Sequence, residues 1–392
     1  MALLFALAGK SAFILALMKK TFLFVLLLAL GSCQAIAILQ QQKINLRSAK
    51  ITVDQPQNLW RIPVQIHQQN RLFVFDTGAK FSAMYAADSL CPKELEEAVR
   101  FGWVLGADRK KQAQKLIVVA ASCPLFESEN KVFAALNTAQ SRCAKSENKL
   151  QGLLGMDLFF HQEKPLLLSY STGSLQLVDR LESNAALLDQ GYELLPSKFK
   201  GNAILVSATV ENKPVWFKLD SGFTGTMAVP YGKKYHFQNP LKTAYIGSAF
   251  QTALGHTSGR EVFYNKMPLQ LGKHALSLQC VESSTIKTAL LGNKAMQGFD
   301  WVIDFKNKRL FAKRNTRTLP ESYTNLTAYR AIAGEDLRIG LKAIQAKLFK
   351  LGDIILAVNG QKVNRENICE LEQLLNATAD WRQLELLVSS PN

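Results

Sequence analysis

The chain has 392 residues, 48% of them hydrophobic, and a formal net charge of +16. This length allows two or three domains with cores of their own. Together with 20% charged residues, the hydrophobic content excludes a wholly disordered chain. The basic residues are scattered and do not alternate with aromatic residues, so we predict no nucleic-acid partner.

The first 33 residues are typical of an export signal. Lys19 and Lys20 precede an apolar run over residues 22–30. A basic start, a short apolar stretch and small residues define a secretory signal. The run is too short for a stable membrane span. The sequence does not decide whether the protein starts at Met1 or at Met18.

The signal ends in the letters LGSC at residues 30–33, which resemble a bacterial lipobox. This resemblance implies lipidation of Cys33. It also implies a periplasmic protein anchored by lipid to the outer membrane of a Gram-negative bacterium. A plain signal peptide with an incidental cysteine is the alternative.

Two later stretches carry one pattern. Residues 72–79 read LFVFDTGA and residues 215–224 read VWFKLDSGFT. In each, an apolar strand leads into an Asp, a small hydroxyl residue and a Gly. A carboxylate at the end of a buried strand is costly to ionise unless it is needed there, and Gly allows backbone amides to approach it. Two such carboxylates in matching context can converge on one water.

The surroundings of the two Asp residues also match. An apolar run ends ten residues before each Asp, and a GLLG or LLG segment follows, at 152–155 and at 290–292. The two Asp residues are 220 − 76 = 144 positions apart. A duplication of this size predicts paired lobes rather than a solenoid.

At these residues, over roughly 50–315, the chain resembles the aspartic peptidases of the pepsin and retropepsin superfamily. The resemblance implies a mainly β fold with two homologous acid-protease-type β-barrel lobes, at 45–181 and 190–315. It implies an aspartic-type endopeptidase without cofactor or metal, complete in a monomer, that acts on a peptide or protein substrate. The implied catalytic residues are Asp76 and Asp220, and the implied supporting residues are Thr77, Gly78, Ser221 and Gly222.

One position departs from the family pattern. Phe223 follows the second Gly, where the family has a small residue, and its bulk could crowd the pair. The alternative function is therefore a catalytically inactive peptide-binding scaffold of the cell envelope. Neither Phe223 nor the equivalent Ala79 has a side-chain donor for the carboxylates, so we expect activity at mildly acidic to neutral pH.

The resemblance also implies a hairpin flap over the cleft, some 25–30 residues after each Asp. Trp103 and Tyr245 are the flap candidates. Packing of these aromatic side chains against their own lobe is an equal alternative.

The chain ends in a segment, 326–390, that resembles a small α+β PDZ-like domain. Residues 351–363 read LGDIILAVNGQKV, and an Asn-Gly pair between apolar strands predicts a hairpin. A PDZ domain implies a partner with a free C-terminal peptide, and the candidates for its carboxylate-binding loop are Ile339, Gly340 and Leu341. The spacing to the next motif is short, so the groove could instead be an interdomain contact.

Beyond the signal there are five cysteines, an odd number that leaves at least one thiol unpaired. Export permits disulfides, but the sequence does not decide which residues pair. No cysteine or histidine spacing matches a zinc site. The five residues are Cys91, Cys123, Cys143, Cys280 and Cys369.

Overall fold

The computed structural model describes residues 42–53, 59–85, 100–105, 111–136, 143, 150–160, 164–232, 235, 237–252, 255–323 and 326–390. The export signal with Cys33, and also Cys91, lie outside the described residues. Within them the protein is mainly β, as expected. No described helix is long and apolar enough to span a membrane.

The first unit, here called the N-terminal barrel, is a ring of six strands. The ring runs in the order β8-β5-β9-β4-β3-β7, and β7 pairs back onto β8. The strands up to residue 177 are β1 (Asn45–Leu46), β2 (Lys50–Thr52), β3 (Arg61–Ile66), β4 (Gln69–Phe75), β5 (Ala83–Tyr85), β6 (Arg100–Leu105), β7 (Lys111–Cys123), β8 (Phe126–Leu136), β9 (Gly152–Leu154), β10 (Leu166–Ser169) and β11 (Ser174–Leu177).

The second unit, the central barrel, follows a short helix, α1 (Asn184–Asp189). Its ring runs in the order β19-β16-β20-β15-β14-β18, and β18 pairs back onto β19. The elements are β12 (Glu193–Leu195), β13 (Ser197–Phe199), β14 (Ile204–Val210), β15 (Lys213–Asp220), β16 (Met227–Pro230), β17 (Lys242–Thr252), β18 (Gly255–Leu271), β19 (His274–Ser283), β20 (Leu290–Gly292), α2 (Asn293–Met296), β21 (Phe299–Asp304) and β22 (Arg309–Arg314).

The two rings have the same topology. In each, the strand before the Asp pairs in parallel with the strand that contains the Leu-Leu pair, β4 with β9 and β15 with β20. Both Asp strands enter from a two-residue turn with positive φ at both residues: 48° and 64° at His67 and Gln68, 43° and 62° at Glu211 and Asn212. Paired positive φ values match the right-handed twist of a hairpin. The sequence repeat is thus a repeat of structure.

A six-stranded sheet joins the two barrels. Its order is β12-β22-β21-β10-β11-β2, and the antiparallel β10–β21 pair lies at its centre. One hydrophobic core runs through this sheet and both barrels, with Trp60, Tyr170 and Trp301 fully buried in it. This continuous core fixes one barrel against the other, which the convergence of two loops requires.

The C-terminal unit has a core of its own, built around Leu337, Ile355, Leu371 and Trp381. The predicted hairpin forms at Asn359 and Gly360, with φ of 49° and 75°. Its elements are β23 (Tyr329–Ala333), β24 (Leu337–Ala343), β25 (Ile354–Val358), β26 (Gln361–Lys362), α3 (Ile368–Ala377) and β27 (Leu386–Ser389).

Two connections hold the C-terminal unit against the barrels. Strand β24 extends the sheet of the central barrel by pairing with β17, with Gly247 opposite Leu341 and Tyr245 opposite Ala343. A disulfide joins Cys143, in the chain segment between β8 and β9, to Cys369 of α3. The C-terminal unit therefore contacts the central barrel by hydrogen bonds and the N-terminal chain by a covalent bond.

Candidate active site

The two Asp residues lie on loops that meet between the barrels. Asp76 follows β4, where its N–H donates to the carbonyl of Leu154 at 2.9 Å. Asp220 is the last residue of β15, opposite Gly292 in the parallel pairing with β20. Each loop is thus supported by the adjacent Leu-Leu strand of its own barrel.

Thr77 and Ser221 tie the loops together reciprocally. The N–H of Thr77 donates to Ser221 Oγ at 2.9 Å, and the N–H of Ser221 donates to Thr77 Oγ1 at 3.0 Å. Ser221 Oγ also donates to the carbonyl of Phe75 at 2.8 Å. Both side chains are fully buried. Because unpaired buried polar groups are costly, these bonds lock the loops to one another.

Each carboxyl group lies against the glycine of the opposite loop. A Cβ placed on Gly78 would be 2.2 Å from Asp220 Cγ, and a Cβ on Gly222 would be 2.4 Å from Asp76 Cγ. No real side chain tolerates such distances, so only glycine fits at either position. The structure therefore brings both carboxyl groups together around the glycine pair.

Backbone amides hold the carboxyl groups in place. Asp76 Oδ1 accepts from the N–H groups of Gly78 at 2.7 Å and Ala79 at 3.1 Å. Asp220 Oδ1 accepts from the N–H of Phe223 at 2.9 Å. Ala79 and Phe223, which lack side-chain donors, thus contribute donors from the backbone. Such bonds favour the charged carboxylate.

The Asp76 carboxyl holds its proton unusually tightly. Lost hydration and then the charge of Asp220 raise the pKa of Asp76 to about 7, against the opposing effects of Lys218 and the two backbone N–H groups. A carboxyl that stays protonated to near neutral pH beside a second carboxyl can act as a proton donor.

Phe223 does not crowd the pair. Its ring lies over Gly225 and Gly292, where an added Cβ would come within 2.3 Å and 2.5 Å of ring atoms. The ring also contacts Phe250 of β17, with 5.7 Å between centroids. The Phe223 side chain thus packs against the central barrel, while the backbone N–H of Phe223 donates to Asp220.

The two flap candidates differ in what the structure shows of them. Trp103 is in β6, opposite Ala113 of β7. Tyr245 is buried against Phe263, and its hydroxyl donates to the carbonyl of Thr327 at 3.1 Å. The Tyr245 side chain therefore packs against its own barrel, and its hydroxyl reaches the C-terminal unit. These contacts are those expected if Tyr245 is a packing residue.

The carboxylate-loop candidates of the C-terminal unit form a strand instead of a loop. Ile339 and Leu341 are buried within β24, and the backbone of Ile339 is bonded to Gly352 and Asp353. A Cβ on Gly340 would lie 2.1 Å from the Ile332 side chain. These three residues therefore lie in a paired strand, and their role in binding a carboxylate stays a prediction.

Sequence reasoning missed Lys218. Its Nζ donates to the carbonyl of Gly78 at 2.8 Å and lies 3.6 Å from Asp220 Oδ2. The signal was a lysine two positions before Asp220 in an otherwise apolar strand, which places both side chains on one face.

No family model matches the chain, and no curated protein matches its sequence.

Within the described ranges, no three His, Cys, Asp or Glu side chains gather into a cation site. The groups that the candidate site does contain are two carboxyl groups, the lysine and the backbone amides around them.

Proposed function

We propose that the protein is an aspartic-type endopeptidase acting on a peptide or protein substrate. The observation that carries this proposal is the pair of reciprocally bonded loops, which presents each carboxyl group to the glycine of the other loop. This arrangement supports the resemblance to two-lobed aspartic peptidases, with lobes at 45–181 and 190–315.

The proposed reaction uses water and the two carboxyl groups. The charged carboxyl takes a proton from a water bridging the pair, and that water attacks the carbonyl carbon of the peptide. The neutral carboxyl donates its proton to the carbonyl oxygen as negative charge develops on it. The carboxyl that took the proton of the water then gives it to the leaving nitrogen as the C–N bond breaks, and the other carboxyl recovers a proton from the diol. A raised pKa of about 7 at Asp76 supports a pair that carries one proton in neutral buffer.

The test is digestion of a mixed peptide library by the full chain between pH 4 and pH 8, read by mass spectrometry. We expect cleavage by the wild type and a loss of at least about a hundredfold in Asp76→Asn and in Asp220→Asn. Asp189→Asn, an exposed change in α1, is the matched control. Cleavage that survives both active-site changes would reject the proposal.

The second candidate function is a catalytically inactive peptide-binding scaffold. Its support was the bulk of Phe223, and that ring turns away from the pair. The same library separates the two functions: peptides retained by the wild type but left whole would favour the scaffold.

We also propose that residues 326–390 act as a PDZ-like module. A groove of about 600 Å³ lies beside β25 and the start of α3, and both acidic and basic side chains line it. Binding of peptides with a free C-terminal carboxylate, but not of their amidated forms, would support this role. The charged lining residues are Glu335, Asp336, Lys362 and Arg365.

For localisation, we propose export to the periplasm and lipid anchoring through Cys33. The support is the sequence at 1–33. Cys33→Ser should move the protein from the membrane fraction to the soluble periplasmic fraction. A variant that still sediments with membranes would reject the lipid anchor.

A further inference from the structure

Lys218 is the cation that lies between the two Asp loops. It belongs to β15 of the central barrel, and its side chain is 18% exposed. Its Nζ bonds the carbonyl of Gly78, which belongs to the N-terminal loop, and lies 3.6 Å from Asp220 Oδ2. One ammonium group thus contacts both loops.

The N-terminal loop has no equivalent cation. In the matching strand pairing, Lys218 lies opposite Leu290 and Val74 opposite Leu153, so Val74 is the counterpart of Lys218. Val74 is buried and apolar. The duplicated loops therefore share the reciprocal bonds between Thr77 and Ser221 but differ in charge.

The other charged groups near the loops are few. Within the described residues, the charges that act on the Asp76 carboxyl are those of Asp220 and Lys218. Beneath the N-terminal loop lies Asp157, paired with the buried Lys131. The residue at the place of Asp157 in the central barrel is Lys294, whose N–H donates to the Gly225 carbonyl at 3.1 Å. In the N-terminal loop, the exposed Lys80 follows Ala79.

We propose that Lys218 is a positioning residue that breaks the symmetry of the pair, because it holds Asp220 as the charged carboxylate and leaves the proton on Asp76. This inference deepens the proposed function and rests on it for its catalytic meaning. A nearby cation favours the charged form of the carboxyl it approaches, and two adjacent carboxyl groups do not both ionise cheaply.

The roles in the reaction follow from this asymmetry. Asp220 accepts the proton of the attacking water, and Asp76 donates its proton to the carbonyl oxygen of the substrate. With one proton on the pair, the site of Asp76, Asp220 and Lys218 carries no net charge, whereas the pair alone would carry one negative charge.

The test is a carboxyl ¹³C NMR titration of the aspartates in the full chain, assigned with Asp76→Asn and Asp220→Asn. In the wild type we expect Asp76 to ionise near pH 7. In Lys218→Met, the midpoint of Asp76 should rise by at least about one pH unit, because Lys218 lowers the pKa of Asp76 and a nearby cation shifts the pKa of an Asp by about 1–3 units.

Two variants of Lys218 separate the effect of its charge from that of its hydrogen bond, and a variant of Lys198 is the control. Lys218→Gln keeps a donor for the Gly78 carbonyl and should titrate like Lys218→Met, whereas Lys218→Arg keeps the charge and should titrate like the wild type. Lys198→Met removes a lysine of the same barrel, whose amine lies 3.8 Å from the centre of the Trp216 ring, and should leave the midpoints unchanged.

The outcomes are distinct from those for the peptidase. A Lys218→Met titration that superimposes on the wild type, or a wild-type Asp76 midpoint well below pH 7, overturns the role of Lys218. If Lys218→Met does not fold, the comparison of Gln and Arg decides. Absence of cleavage by the wild type would reject the peptidase and leave the titration result standing.

Discussion

The two Asp loops have the same shape but different supports. Under the N-terminal loop, Asp157 accepts from the N–H of Ser82 at 2.9 Å and from its hydroxyl at 2.8 Å, and forms an ion pair with Lys131. Both loops accept one equivalent backbone bond, from the Met156 N–H to the Ala79 carbonyl at 2.9 Å and from the Asn293 N–H to the Phe223 carbonyl at 2.8 Å. Under the central loop, the neutral Asn293 side chain accepts from the Tyr170 hydroxyl through Oδ1.

The difference shows that one geometry can be held by buried charges or by neutral groups. Lys131 and Asp157 are 0% and 3% exposed in their side chains, so each depends on the other for its charge. Asn293 is equally buried but carries no charge. Removing a support should therefore cost more beneath Asp76 than beneath Asp220.

The largest expected effect is at Lys131. Lys131→Met leaves Asp157 charged and unpaired inside the N-terminal barrel, and should lower the free energy of unfolding by about 3–5 kcal/mol. Chemical denaturation measures this. Adding Asp157→Asn should recover part of the loss, since the amide oxygen still accepts from Ser82.

Lys164→Met is the control for Lys131, because its partner Asp179 is 76% exposed in its side chain. An exposed pair contributes about 0–1 kcal/mol. Equal losses of unfolding free energy in the two lysine variants would show that the buried ion pair stabilises the fold no more than the exposed one.

The second effect concerns the bonds between the loops. Ser221→Ala leaves the N–H of Thr77 and the carbonyl of Phe75 without their partner and should cost about 2–3 kcal/mol. Thr77→Val leaves only the N–H of Ser221 and should cost about half of that. Urea unfolding of both variants gives the ratio, and a larger loss in Thr77→Val would contradict this account.

The third effect is at Asn293. Asn293→Leu leaves the Tyr170 hydroxyl without its acceptor and should cost about 1–2 kcal/mol. The same denaturation assay as for Lys131→Met allows direct comparison. A loss as large as that of Lys131→Met would remove the distinction between charged and neutral support.

The last effect is on the pH dependence of stability. The folded chain holds the Asp76 proton up to about pH 7, whereas the unfolded chain releases it near the ordinary value of 3.8. Stability from this group is present at low pH and is lost as pH rises through about 7. Asp76→Asn lacks this loss.

The measurement is the unfolding midpoint of Asp76→Asn and wild type from pH 4 to pH 9. The variant should gain on the wild type as pH rises to about 7, with little difference near pH 4. Asp189→Asn serves as control. A constant difference across the range would mean that Asp76 titrates normally in the folded chain.

Features encoded in neighbouring residues could be predicted from the sequence. Both Asp turns follow from an apolar strand leading into Asp, a hydroxyl residue and Gly, and the hairpin at Asn359 follows from the Asn-Gly pair. The matching ring topology follows from the repeat of these patterns.

Features that depend on distant partners could not be predicted. The pairing of Cys143 with Cys369 spans 226 positions, and the pairing of Tyr245 with Ala343 joins strands from different units. Lys131 is charged, and charged residues are almost never fully buried unless paired. Its burial follows only from a partner that the fold brings to it.

The Cys143–Cys369 disulfide makes the central barrel part of a closed covalent ring. A protease that cuts the backbone once between these residues would leave both pieces attached to each other. The nicked protein would migrate at full length in electrophoresis without reductant and separate into fragments with it. In an oxidising compartment, a single backbone cut between Cys143 and Cys369 would therefore leave the two barrels and the C-terminal unit covalently connected.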